Sequence, residues 1–409
     1  EHNVTTVDFL RDYFRRRRLA TRPGLAPLAG GAVGFLGFDA SRWFEPVLEK
    51  TQRHTSSEDD ALFMLFRVVI AFDRVKQQME ITSVVFTDEA DGDMERLKQL
   101  YEQAVAETEH VERQLDSTTS LLACPKSPNT NSLEFKSLWP RHEYEDGVKR
   151  IKEYIMAGDC YQAVLSQKFT AKVSAQPIDI YRALRATNPS PYHYCLRMGD
   201  ESIIGASPEM LIRCRGRKLE YRPIAGTRKR GRNPEEDVRL GEEMRGDAKE
   251  VAEHMMLVDL GRNDLGRVAE FGSVKVDELL SIERYSHVQH LVSGLSATLD
   301  NKSDRFDALA SCFPAGTLSG APKVRAMQII DELEPVKRGV YGGSVMYIDY
   351  DDNLDSCIAI RTLVLRNNVV EFQAGGGIVA DSVPELEYEE CINKSRALRV
   401  AIEMAERGL

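Results

Sequence analysis

The sequence predicts an α+β sandwich, a mixed fold in which helices cover antiparallel sheets. Three observations carry this. Helix-period stretches over 143–157, 240–260, 323–333 and 384–407 alternate with strand-like stretches over 160–173, 192–214, 342–350, 356–366 and 369–374. The strand-like stretches come as neighbouring pairs that read as antiparallel, which argues against a doubly wound sheet. The glycine-rich segment Gly30-Gly-Ala-Val-Gly-Phe-Leu-Gly-Phe38 lacks the GxGxxG spacing of a dinucleotide-binding turn.

In chain order, glycines and prolines from Pro23 to Gly37 break up an apolar segment, which reads as a turn feeding a buried strand. Stretches 63–72 and 78–86 are strand-like, and 94–115 has helical spacing with many charges. Residues 116–139 are rich in Ser, Thr, Asn and Pro and lack periodicity, so they read as a linker. That linker divides an N-terminal subdomain (1–115) from a larger domain (140–409) that carries the chemistry.

Composition narrows the function classes. With 42% hydrophobic and 29% charged residues among 409, the chain is globular rather than disordered. A net charge of −10 disfavours bulk nucleic-acid binding, and the run Arg15 to Arg18 reads as a solvated helix face. The seven cysteines (124, 160, 195, 214, 312, 357 and 391) are scattered without a CxxC pair, which suits reduced thiols in a cytoplasm or plastid stroma. No apolar run is long enough for a membrane helix. The opening Glu1-His-Asn-Val-Thr has neither an initiator Met nor a signal pattern, so a fragment is expected.

Several local patterns can carry chemistry. Tyr221-Arg-Pro-Ile-Ala-Gly-Thr-Arg-Lys-Arg230 sets small residues and a hydroxyl in a basic run and reads as an anion-facing turn. Glu387, Glu390 and Lys394 fall at i, i+3 and i+7 of one predicted helix, and Glu250 and Glu253 share a face of another. Brought together, these faces would offer Mg²⁺ its preferred oxygen donors; apart, they are solvated faces with salt pairs. Ala374-Gly-Gly-Gly377 is either a backbone anion site or a hairpin turn. The loop 313–323 offers the hydroxyls of Thr317 and Ser319 without being a P-loop. Arg361 ends an apolar run and wants a carboxylate, from a structural salt bridge or from a ligand. His287 and His290 are three apart, weak evidence for zinc; either histidine is a general base or a structural residue.

The motifs in order are 30–39, Asp-Cys-Tyr-Gln-Ala-Val-Leu-Ser-Gln (159–167), Ser-Pro-Glu (207–209), Arg-Pro-Ile-Ala-Gly-Thr-Arg (222–228), Asp-Leu-Gly-Arg-Asn-Asp (259–264), the His287/His290 run, Gly-Thr-Leu-Ser-Gly-Ala-Pro-Lys (316–323) and Gly375 to Gly377. Together they resemble the chorismate-utilising enzymes, and among these the anthranilate synthase component I group, from about Pro23 to the C-terminus. The resemblance implies a four-layer α/β/β/α sandwich of two antiparallel sheets flanked by helices. It implies Mg²⁺ on Glu250 and Glu387, directly or through water with Glu253 and Glu390, gripping the ring carboxylate of chorismate. Arg361, Tyr341 and the backbone of Gly375, Gly376 and Gly377 would receive the enolpyruvyl carboxylate. Gly226, Thr227, Thr317 and Lys394 would complete the wall. Glu209 is the expected general acid for the C4 hydroxyl, and His290 the residue by the ring for loss of pyruvate.

Two positions discriminate within the resemblance. Isochorismate and salicylate synthases resemble this chain but carry a Lys where Gln162 stands, and Gln162 cannot act as a base on water. Aminodeoxychorismate synthases carry a Lys where Ala225 stands. Ammonia is therefore the implied nucleophile and anthranilate with pyruvate the implied products, in tryptophan biosynthesis. A 2-amino-2-deoxyisochorismate synthase and a non-catalytic paralogue are the alternatives. No Gly-x-Cys-x-Gly turn is present, so glutamine would be used through a separate amidotransferase subunit, in a homo- or hetero-oligomer. The family's Leu-Leu-Glu-Ser feedback motif is absent from this sequence. The rest of that tryptophan pocket is represented by Asn188, Pro189, Ser190, Pro191, Tyr192, Tyr347 and Cys357, with His193 at a usual Met position, so weak or no tryptophan inhibition is expected.

Overall fold

The computed structural model describes residues 4–20, 24–51, 58–117, 133–285 and 288–408. Its helices are α1 (Thr6–Arg15), α2 (Met94–Ser117), α3 (Arg141–Met156), α4 (Pro177–Thr187), α5 (Pro234–Gly246), α6 (Ala248–Gly266), α7 (Arg305–Cys312), α8 (Lys323–Leu333) and α9 (Pro384–Arg407). Its strands begin with β1 (Gly31–Leu36), β2 (Ala61–Phe66), β3 (Val68–Asp73), β4 (Gln78–Ser83), β5 (Lys136–Ser137), β6 (Gln162–Lys172), β7 (Tyr192–Met198), β8 (Glu201–Ser207) and β9 (Met210–Arg215). They continue with β10 (Lys218–Tyr221), β11 (Ile224–Lys229), β12 (Lys275–Arg284), β13 (Val288–Thr298), β14 (Gly320–Ala321), β15 (Ser344–Asp349), β16 (Leu354–Ile358), β17 (Thr362–Arg366) and β18 (Val369–Ile378).

The strands form two large antiparallel sheets. The first runs β11-β13-β10-β9-β16-β15-β1-β2, with β12 also on β13; the second runs β14-β6-β18-β17-β8-β7, with β5 on β6. Strands β1 and β2, from before the 116–139 stretch, thus share a sheet with β15, from after it. Of that stretch, 118–132 lies outside the described residues, as does Cys124.

Three apolar clusters give the layer order. One joins the first sheet (Leu211, Leu295, Ile348) to Leu10 and Phe14 of α1, Val258 of α6 and Phe306 of α7. A second joins the other sheet (Leu165, Leu363, Phe372) to α3, α4, α8 and α9 through Val148, Leu184, Ile329 and Leu398. A third sets Phe35, Val345 and Cys357 of the first sheet against Tyr194, Leu196 and Ile203 of the second. Helices, sheet, sheet and helices are therefore the four layers. Strand β6 is buried without a break from Ala163 to Gln167, as a central strand covered on both faces must be.

Helix α9 shows how the sequence fixes a position. Pro384 starts it, Gly408 ends it with φ of 86°, and Cys391, Ser395, Leu398, Ala401, Ile402 and Ala405 form one buried face. Its last turn is pinned by Glu406, which accepts from the backbone N–H of Ser174 and Ala175 at 2.6 Å each.

Four sequence expectations change. The 240–260 stretch is two helices, because Asp247 leaves helical geometry and its carboxylate caps α6 by accepting from Lys249 and Glu250 N–H. The 63–72 stretch breaks at Arg67 into β2 and β3. The 192–214 and 356–366 stretches each change sheet part-way. Gly375 to Gly377 are neither a turn nor a loop but the end of β18, in register with Ser166 to Val164 of β6.

Candidate active site

The two sheet changes make the site. The chain passes from β8 to β9 through Pro208 and Glu209 alone, and from β16 to β17 through Ala359, Ile360 and Arg361. The crossings are bonded to each other: Ile358 N–H donates to Glu209 O at 3.0 Å and Ala206 N–H to Arg361 O at 3.1 Å. Crossing chains cannot place every side chain in a packed layer. Glu209 and Arg361 accordingly line a cleft of about 210 Å³ with Thr317, Tyr341, Lys394 and Gly375 to Gly377.

Glu209 is 7% exposed, and burial pushes its pKa up to about 8, with Thr317 drawing it partly back. It is therefore a protonated acid at neutral pH. Thr317 Oγ1 is buried beside Glu209, whose pKa it lowers, and has no other hydrogen-bond partner among the described residues. Ser319, its companion hydroxyl, instead donates to Ala315 O at 2.9 Å and shapes the loop. That loop is tied to α6 by Lys323 Nζ on Asp264 at 3.0 Å, a pair nearly closed to solvent.

Arg361 is held at φ 51°, an uncommon conformation for a residue with a Cβ. Its guanidinium donates to Lys394 O, and burial lowers its pKa. Among the described residues no carboxylate pairs with it, so the structural salt bridge is not formed. Tyr341, 7% exposed, stands nearby, packed on Arg338. Arg338 anchors three walls at once: it donates to Leu318 O at 2.6 Å and Val164 O at 2.8 Å and pairs with buried Glu334 at 2.6 Å.

The glycine strand closes this side. Strand β17 pairs with β18 only as far as Phe372, so beyond it β18 has β6 on one edge and the cleft on the other. A Cβ at Gly375 would meet Leu165 O at 2.3 Å, and one at Gly377 would meet Gln162 Nε2 at 2.0 Å. Glycine is thus required at Gly375, where backbone blocks a Cβ, while at Gly377 it leaves room for the Gln162 side chain lying across it. Lys394 Nζ donates to Gly375 O at 3.0 Å.

On the other wall, β11 bulges between Ala225 and Thr227, with Gly226 at φ 66°. His290 Nδ1 lies 2.9 Å from Gly226 O and 3.1 Å from Thr227 Oγ1. A carbonyl only accepts, so Nδ1 carries the proton and Nε2 the lone pair. Burial lowers the His290 pKa, keeping the ring neutral. Tyr285 meets the ring edge-on at 5.6 Å. His287 lies outside the described residues.

The two acidic faces do come together. The pKa of Glu253 on α6 is raised by burial and by Glu250 and by Glu390 of α9; that of Glu387 is raised by burial and by Glu390. Gly226 and Gly376 floor the two faces: a Cβ at Gly226 would sit 3.0 Å from Glu250 Oε2, and one at Gly376 3.2 Å from Glu387 Oε2. Among the described residues no cage of three metal-ligating side chains is formed. One carboxylate from each helix, with oxygens from a ligand and water, nevertheless fits Mg²⁺, which takes few protein ligands and keeps several waters. Burial is the largest cause of both raised values, with neighbouring carboxylates adding to it, and a cation between the faces would favour the ionised forms.

The seven residues assigned to a tryptophan pocket surround the inter-sheet cluster. Tyr192 of β7 bonds Asp355 of β16 at 3.0 Å across the sheets, Asn188 and Ser190 bond Ala206 O, and Tyr347 pairs with Asp355 in register. Pro189 and Pro191 lie in the α4–β7 connection, and Cys357 is buried at the cluster. His193 Nε2 accepts from Ser190 N–H at 3.1 Å. Sequence reasoning gave no role to Arg228, Arg338, Glu334 or the Asp264–Lys323 pair; Arg228, Asp264 and Lys323 had a signal, as the last residues of the motifs 222–228, 259–264 and 316–323, and Arg338 and Glu334 had none.

A family profile described as chorismate binding enzyme matches residues 2–400. Component 1 of anthranilate synthase from Pseudomonas aeruginosa is 45% identical over 404 residues, 98% of this chain and 80% of that protein. The same component from Aquifex aeolicus is 48% identical, over 93% and 75%. The crystal structure of anthranilate synthase component I from Streptococcus pneumoniae superposes with a TM-score of 0.83 at 36% identity, over 97% of this chain and 86% of that one. The menaquinone-specific isochorismate synthase of Escherichia coli shares the fold, with a TM-score of 0.75 at 22% identity. No described helix is long and apolar enough to cross a membrane. The cleft holding Glu209 and Arg361 thus lies in a chain whose family profile and relatives agree, and the chain belongs to the chorismate-binding enzyme family.

Proposed function

We propose that this enzyme converts chorismate and ammonia to anthranilate and pyruvate, the step that commits chorismate to tryptophan, with ammonia drawn from glutamine by a separate amidotransferase subunit. The observation that carries the reading is Arg361, a buried guanidinium with no carboxylate partner among the described residues. Its natural complement is an anionic ligand, and chorismate brings two carboxylates to one cleft. Arg361, Tyr341 and the open edge of Gly375 to Gly377 receive the enolpyruvyl carboxylate. Glu250 and Glu387, with Glu253 and Glu390 through water, would hold Mg²⁺, which would supply charge neutralisation for the ring carboxylate. Gly226, Thr227 and Lys394 complete the wall.

Glu209 donates its proton to the C4 hydroxyl, which leaves as water while ammonia bonds to C2, and the new ammonium returns a proton to Glu209. His290 Nε2 then takes the C2 proton as the C3–oxygen bond breaks, and the departing enolpyruvate takes a proton at its methylene carbon to become pyruvate, which returns His290 to neutral. Gln162 has no basic lone pair with which to activate water, and Ala225 offers no amine, so neither competes with ammonia. Glu387→Ala tests the metal side of this reading: Mg²⁺-dependent turnover falls below detection while circular dichroism stays unchanged. Unchanged turnover would refute the metal assignment.

A further inference from the structure

The two acidic faces are each partly neutralised from within. On α9, Lys394 Nζ pairs with Glu390 at 2.6 Å. On α6, Arg228 lies 2.7 Å from Glu250 Oε1, reaches Asp247 at 3.5 Å and donates to Thr227 O at 3.1 Å. Glu250 is a carboxylate that the proposed Mg²⁺ needs, so guanidinium and metal claim one oxygen pair. Arg228 follows the Gly226 bulge, in a strand whose side chains are half-buried or exposed, so its head has room to leave.

We propose that Arg228 is an internal stand-in for the divalent cation: its guanidinium holds the Glu250 carboxylate in place until metal enters, and metal entry displaces it. The inference rests on the Mg²⁺ reading above. Two consequences follow from charge alone. Mg²⁺ binds the ligand-free protein weakly, because its binding must break an existing ion pair. The freed guanidinium, positive and beside Thr227, then adds to the attraction for the anionic substrate.

The test is isothermal titration of MgCl₂ into the full chain, wild type against Arg228→Met and Arg228→Lys, without chorismate and in ammonium-free buffer with it. Arg228→Met removes the competing charge and binds Mg²⁺ about fivefold more tightly than wild type, the upper size expected for one partly screened ion pair. Arg228→Lys keeps the charge and stays near wild type. Equal affinity in all three overturns the stand-in role while the metal reading survives. Equal tightening by Met and Lys also overturns it, since shape rather than charge would then be the cause. Failure of all three to bind Mg²⁺ even with chorismate present overturns both.

Discussion

Replacing Glu209 with glutamine lowers kcat by about 10³-fold, the range in which a positioned general acid contributes. The pH profile identifies the role. With a pKa of about 8, Glu209 is protonated below that pH and ionised above it, so the acid form is lost, and kcat falls, as pH rises through about 8. The acidic limb belongs to His290, whose lowered pKa keeps Nε2 free at neutrality and lets it protonate only as pH falls. Glu209→Gln therefore removes the alkaline limb and leaves the acidic one. The measurement is kcat against pH with free ammonia held constant, so that ammonia's own ionisation does not imitate the limb. An alkaline limb surviving in the variant would move the acid role elsewhere.

Arg361→Met is expected to lower kcat/KM by about 10²- to 10³-fold, because it deletes one partner of a buried charge pair with the substrate. Methionine keeps much of the bulk and, like arginine, carries a Cβ into the conformation at φ 51°, so local strain is similar in both. Arg361→Lys does not rescue fully, since an ammonium cannot grip a carboxylate through two parallel bonds. The loss appears in chorismate binding by calorimetry as well as in rate. Binding within a few-fold of wild type would return Arg361 to a structural role.

Much of this site was legible in sequence, for reasons that differ by residue. Glu250 with Glu253, and Glu387 with Glu390, were visible because helical spacing alone puts them on one face. Their meeting was not visible, since it depends on how α6 and α9 pack against different sheets. Helix α8 (Lys323–Leu333) and α9 (Pro384–Arg407) match their predicted spans because proline marks their starts. Periodicity failed where the chain changes sheet: 192–214 looks continuous, and nothing local says that Pro208 and Glu209 are a crossing.

Gly375 to Gly377 misled for the opposite reason. Glycine is disfavoured in strands, yet the close approach of the β6 backbone demands it at Gly375, and Gly377 leaves room for the Gln162 side chain. The ion-pair status of Arg361 likewise lay beyond sequence, because an absent partner leaves no pattern. Ala225 and Gln162 were legible as exclusions, and the structure adds their settings, one at the edge of the Gly226 bulge and one across Gly377.

The most direct test of the central claim is the product formed when the chain alone meets chorismate, ammonium and Mg²⁺. Fluorescence and mass spectrometry should find anthranilate, with pyruvate released one for one. A product that keeps the enolpyruvyl group, or chorismate left unconsumed, would contradict it.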